Sequence, residues 1–72
     1  MRGRGEYLIE LHQVGAFVKV SAIDPVTGTE VSITGPATAG EAILSRNAIN
    51  KLQYVLRKNA AKAEARRRGI EV

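Results

Sequence analysis

"AIDPVTGTEVSITGP" (residues 22–36) sets two apolar runs on either side of a loop punctuated by proline and glycine, and whether that loop is a ligand cradle or a hairpin decides the fold. Its residues have turn chemistry. Asp24 can bond the backbone of a turn, Pro25 pre-sets φ at the next position, and Gly28 supplies a left-handed residue that closes a bulged hairpin. A phosphate loop would need Lys-Ser or Lys-Thr opening the following helix, and a calcium loop would need oxygen-bearing side chains at alternate positions. Neither pattern is present, so the stretch reads as a hairpin.

Working outward, each side of the loop alternates with the period of a half-buried strand. Before it, residues 16–23 place Val18, Val20 and Ala22 on one face and Phe17, Lys19, Ser21 and Ile23 on the other. After it, residues 29–34 turn Val31 and Ile33 inward and Glu30, Ser32 and Thr34 outward. Residues 6–14 alternate Tyr7, Ile9 and Leu11 against Glu10 and His12 and end at Gly15. Three antiparallel strands follow.

Beyond Gly35-Pro36, Thr38 and Glu41 have the spacing of a capping box, which predicts a helix over about residues 39–68 that meets its first breaker at Gly69. Leu44, Ala48, Ile49, Leu52, Val55 and Leu56 fall within an arc of roughly 140°, a core stripe. Such a helix is ~45 Å long, whereas a seven-residue strand spans only ~23 Å. The expected fold is therefore α+β: a three-stranded antiparallel sheet packed in two layers on one long C-terminal helix (βββα), the last third of which projects or lies on a partner. Residues 1–5 read as a mobile lead-in, 6–69 as a single domain and 70–72 as a tail. The short Gly35–Ala37 connection is a candidate hinge for exchange between copies.

A chain of 72 residues without cysteine has a thin core and no disulfide or thiolate-zinc reinforcement, so oligomerisation is the expected source of added stability. A second line on the helix, Ile43, Asn47, Tyr54 and Ala61, lies outside the core arc. Leu8, Phe17 and Ile23 lie on the sheet face that a single helix leaves uncovered. Leu8, Phe17, Ile23, Ile43 and Tyr54 are accordingly the candidate self-association residues of a homo-oligomer, with a dimer expected.

Charge is polarised. Residues 1–50 carry four basic and five acidic side chains, whereas 51–72 carry seven basic against two acidic. Arg57, Lys58, Lys62, Arg66, Arg67 and Arg68 are the candidate polyanion contacts, for nucleic-acid phosphates or an acidic protein partner. Tyr7, Phe17 and Tyr54 are split among three elements and form no stacking platform of the kind single-strand binders use. The alternative role of these cations is to complement the helix dipole and keep a projecting helix solvated.

The segments "VKVSAIDPVTGTEVSITGP" and "NKLQYVL" resemble a small domain family of unknown function found chiefly in alphaproteobacteria. The resemblance covers about residues 6–57 and is most specific at Asp24-Pro25, Thr27 to Val31, and Lys51 to Leu56. It implies a compact strand-rich unit followed by a helix, and carries over no activity, cofactor or site residue. The basic extension "KNAAKAEARRRGIEV" lies beyond it.

No set of acid, base and nucleophile can be named: His12, Asp24 and scattered glutamates have no activated hydroxyl beside them in any known pattern. One histidine and no cysteine argue against a metal site within one chain, and no cofactor motif is present. The longest apolar stretch, "VGAFVKVSAI", is interrupted by Lys19 and falls short of the ~20 residues a membrane span requires. The alanine-rich basic helix end lacks the bulky anchors of an interfacial helix. The expectation is a cytoplasmic, non-catalytic protein-interaction and assembly module, with nucleic-acid binding through the basic helix as the alternative.

Overall fold

Two turns set the sheet. The computed structural model describes residues 6–69, so the expected lead-in and tail lie outside the described residues. Strand β1 (Leu8–Val14) joins β2 (Phe17–Ile23) through Gly15-Ala16, with Gly15 at φ 59°, a left-handed conformation that two-residue hairpin turns use and glycine adopts without strain. The β2 to β3 (Glu30–Pro36) turn is organised by Asp24, which is buried. Its Oδ1 accepts from Val26 N at 3.1 Å and its Oδ2 from Thr27 Oγ1 at 3.0 Å, while its carbonyl accepts from Gly28 N at 2.7 Å. Thr27 Oγ1 in turn accepts from Thr29 N at 3.2 Å. Both carboxylate oxygens face the turn's own donors, so the loop is the hairpin its residues predict.

The sheet order is β1-β2-β3, antiparallel throughout. Its register puts Ile9, Ala22 and Val31 in one row, Leu11, Val20 and Ile33 in the next, and Gln13, Val18 and Gly35 in a third, all on the helix-facing side. The opposite side carries the rows Leu8-Ile23-Glu30, Glu10-Ser21-Ser32, His12-Lys19-Thr34 and Val14-Phe17-Pro36. Ser21 is buried even there, on the central strand, with its hydroxyl 3.4 Å from that of Ser32.

Helix α1 (Glu41–Arg67) rests on β2 and β3. The core is Val18, Val20, Ala22 and Val31 from the sheet with Leu44, Ala48 and Leu52 from the helix; Ile49, Val55 and Leu56 complete the expected stripe as half-buried residues. The two-layer βββα architecture is thus the one the periodicity predicts.

The helix start differs from expectation. Thr38 makes no cap; Ala37–Ala39 form one 3-10 turn, and Gly40, at φ 91° and ψ 144°, is the N-cap with no side-chain hydrogen bond. The first helical bond runs from Leu44 N to the Gly40 carbonyl at 3.2 Å. The extra turn moves the start two residues downstream, out of reach of the Thr38 and Glu41 pairing. Gly35 and Pro36, expected in the hinge, are the last residues of β3, paired with Val18 and Phe17. Gly35 is buried under the helix entrance, where a Cβ would stand 2.5 Å from Leu44 Cδ2.

At 27 residues the helix is ~40 Å long against ~23 Å for each strand. The molecule accordingly measures 48 × 30 × 16 Å, and the turns beyond Leu56 overhang the sheet. Gly69, at φ 78°, follows the last turn and donates to the Arg66 carbonyl at 3.0 Å.

Candidate interaction surfaces

The two edges of the sheet are not equivalent. Asp24 N bonds the Thr29 carbonyl and Ala37 N bonds the Ala16 carbonyl, both at 2.8 Å, bracketing the β2–β3 ladder. Because a strand's backbone groups alternate sides, Val18, Val20 and Ala22 bond β3 while Phe17, Lys19, Ser21 and Ile23 bond β1. On β1, Leu8, Glu10, His12 and Val14 are then engaged with β2, and Ile9, Leu11 and Gln13 turn their N–H and C=O groups to the free edge. On β3 the free edge belongs to Glu30, Ser32, Thr34 and Pro36.

The β3 edge is blunted. Lys51 Nζ, from the helix, donates to the Ser32 carbonyl at 3.0 Å, and Pro36 has no N–H to offer. Edge lysines and prolines are the usual devices against edge-to-edge pairing. Among the described residues nothing comparable guards β1.

The helix accentuates the asymmetry. Measured from the line through the buried residues Leu44, Ala48 and Leu52, Lys51 lies roughly 60° to one side, and Leu56 and Ile49 roughly 80–100° to the other, at the helical period. Lys51 marks the β3 flank, so Ile49 and Leu56 lie on the flank toward β1. There the helix stops short, and Leu11, on the helix-facing side of the sheet, remains 41% exposed. The flank toward β1 thus presents a strip of incompletely buried apolar residues, Ile9 and Leu11 from the sheet and Ile49 and Leu56 from the helix.

The residues expected to drive self-association do not share one patch. Leu8 and Ile23 are cross-strand partners at one end of the outer face. Phe17 lies six residues along β2, ~20 Å away, with Val14 and Pro36 as neighbours. The rows between them carry Glu10, Ser21, Ser32, His12, Lys19 and Thr34. Ile43 and Tyr54, both more than half exposed, lie roughly 20° apart about the helix axis on the β3 flank. Sequence reasoning missed the β1 edge because it placed Leu11 only by parity, on the apolar side of a half-buried strand. The parity of the strand identifies which residues face the edge, but how far the helix reaches across the sheet has no signature in one chain's periodicity.

On the overhang, Glu64 bonds Arg67 at 2.7 Å and lies 4.0 Å from Arg68. Among the described residues no carboxylate lies within ion-pair distance of Arg57, Lys58, Lys62 or Arg66. Lys58, Lys62 and Arg66 recur every fourth residue and form one stripe; Arg57 points elsewhere. Of the six candidate polyanion contacts, three are therefore aligned. Among the described residues there is no group of three or more histidine, aspartate or glutamate side chains placed to hold a metal ion, and no helix is long and apolar enough to cross a membrane.

A family model described as a domain of unknown function, DUF6898, matches residues 4–59. The chain belongs to this family. The DUF6898 match takes in all three strands, the 3-10 turn and the helix as far as Asn59, three residues past Leu56, where the apolar stripe ends. The aligned cations at Lys62 and Arg66 lie beyond it. No curated protein and no solved structure matches the chain.

Proposed function

We propose that this DUF6898 domain is a non-catalytic assembly module that functions as a homo-oligomer, docking through the part of the sheet its helix leaves uncovered. The observation that supports this most directly is the state of β1, an edge strand with open backbone groups and Leu11 41% exposed on the core-facing side. A domain with seven buried apolar residues among those described gains core by covering that strip. Light scattering on the full chain across concentration and salt tests the proposal. A defined oligomer whose mass holds through moderate salt is expected, and a monomer at every concentration overturns it. A bacterial, cytoplasmic setting belongs to the same proposal, supported by the family resemblance and by a cysteine-free sequence that fits a reducing compartment; cell fractionation checks it.

The aligned stripe of Lys58, Lys62 and Arg66 favours a second reading, in which the overhang binds nucleic-acid phosphates. Titration of labelled mixed-sequence RNA and DNA across salt tests it. Three phosphate contacts give a log–log salt slope of about −2 to −3, and no binding at low salt leaves the stripe as a solvated or acidic-protein-docking extension.

A further inference from the structure

We infer that the occupant of the β1 edge is β1 of a second copy, paired antiparallel about a two-fold axis through Leu11 to make one continuous six-stranded sheet. This rests on the assembly reading and specifies its surface and register. Antiparallel pairing keeps residues of the same parity opposite each other, so the two-fold passes through a residue and the core-facing side of one copy continues into that of the other. Three centres engage most of the strand: Glu10, Leu11 and His12. An axis at Glu10 sets Glu10 against Glu10 of the partner subunit. An axis at His12 sets the two histidines against each other and Glu10 against Val14 of the partner subunit.

The axis at Leu11 satisfies both faces. On the outer face it places Leu8 against Val14 of the partner subunit and Glu10 against His12 of the partner subunit, each pair occurring twice by symmetry. Within one copy His12 already stands beside Lys19, and Glu10 beside Ser21. The interface would therefore join a cationic row to an anionic one. On the core-facing side Leu11 meets Leu11 of the partner subunit, and Ile9 meets Gln13 of the partner subunit. The outward backbone groups of Ile9, Leu11 and Gln13 then form about six main-chain hydrogen bonds. The helices lie over β2 and β3 of their own copies, clear of the new junction. The blunted β3 edges become the ends of the six-stranded sheet, so assembly stops at two.

Charge reversal tests the register. Glu10 and His12 are exposed, so their substitution leaves the fold in place, which far-ultraviolet circular dichroism verifies. His12→Glu should weaken dimerisation about tenfold, since it sets two carboxylate pairs opposite one another, and Glu10→Lys should also weaken it, since it puts a lysine where the anionic partner of the His12-Lys19 row stood. The double variant should return to within about threefold of the native dissociation constant. Leu11→Cys introduces the chain's single cysteine, and mild oxidation should link two copies, because directly opposed residues have Cα atoms ~5.5 Å apart, within disulfide range. If the native protein dimerises but both reversals leave the constant unchanged and the cysteine does not link, the register is wrong while the assembly reading stands. A native protein that stays monomeric overturns both.

Discussion

Lys51 Nζ donates to the carbonyl of Ser32 at 3.0 Å, a hydrogen bond that ties the side of the helix to the free edge of β3. The same lysine holds the helix register over the sheet and occupies an acceptor that another strand would otherwise use. Lys51→Met keeps the long apolar stem and removes the donor. We expect a folded variant whose mass climbs with concentration beyond the native oligomer, because a protein with two open edges can extend at both. Light scattering over a concentration series checks this; a mass that stays at the native value assigns Lys51 no guarding role.

Leu44 fills the space that a side chain at position 35 would take, at the point where the helix meets the sheet. Gly35→Ala should cost about 1–3 kcal/mol by overpacking. Combining it with Leu44→Ala should give less than the sum of the two single losses, because the second change makes room for the first. Urea unfolding of the four proteins measures the coupling, and strict additivity would show that the close approach carries no strain.

Asp24 is buried and its two oxygens serve Val26 N and Thr27 Oγ1. Asp24→Ala should lose about 1–3 kcal/mol through donors left without an acceptor in the turn. Thr27→Val should lose less, since the Val26 N to Asp24 bond survives. Equal losses for the two would place the turn's stability elsewhere than in the Asp24 carboxylate.

The overhang is separable from the fold. A chain ending at Asn59 retains Leu44, Ala48 and Leu52, the buried helix residues, together with Val55 and Leu56. Its unfolding free energy should stay within about 0.5 kcal/mol of the full chain, although its helical signal falls. A larger drop would mean that the projecting turns pack on something the single chain does not show, a partner copy being the first candidate to test by mass.

Much of this architecture was legible in the residues themselves. The alternation around Asp24 and Gly28 specifies two strands and their turn, and a one-residue slip would have exposed Val20 and Ala22, which are fully buried. The helix stripe through Leu44, Ala48 and Leu52 was equally readable. Its start was not: Thr38 and Glu41 have capping-box spacing, but a 3-10 turn and the left-handed Gly40 take over the junction. Local spacing cannot report a backbone conformation that the incoming strand and outgoing helix decide together. The proposed interaction surface failed to show for a related reason. Leu8, Phe17 and Ile23 share a face by parity, yet strand length separates Phe17 from the other two. Leu11 has the parity of a core residue, but the helix does not extend far enough sideways to cover it.

The sheet order follows the chain order, with a two-residue turn and a short Asp24 loop joining neighbours. Each strand pairs with the one just made, and the helix folds back on the two strands that immediately precede it. Little loop-closure entropy stands between the extended chain and its native pairings, so the topology predisposes this domain to rapid folding, on the millisecond scale or faster. An assembly joined at β1 would then be the slow, second-order step, and refolding would separate into a fast phase independent of concentration and a later one that quickens with it.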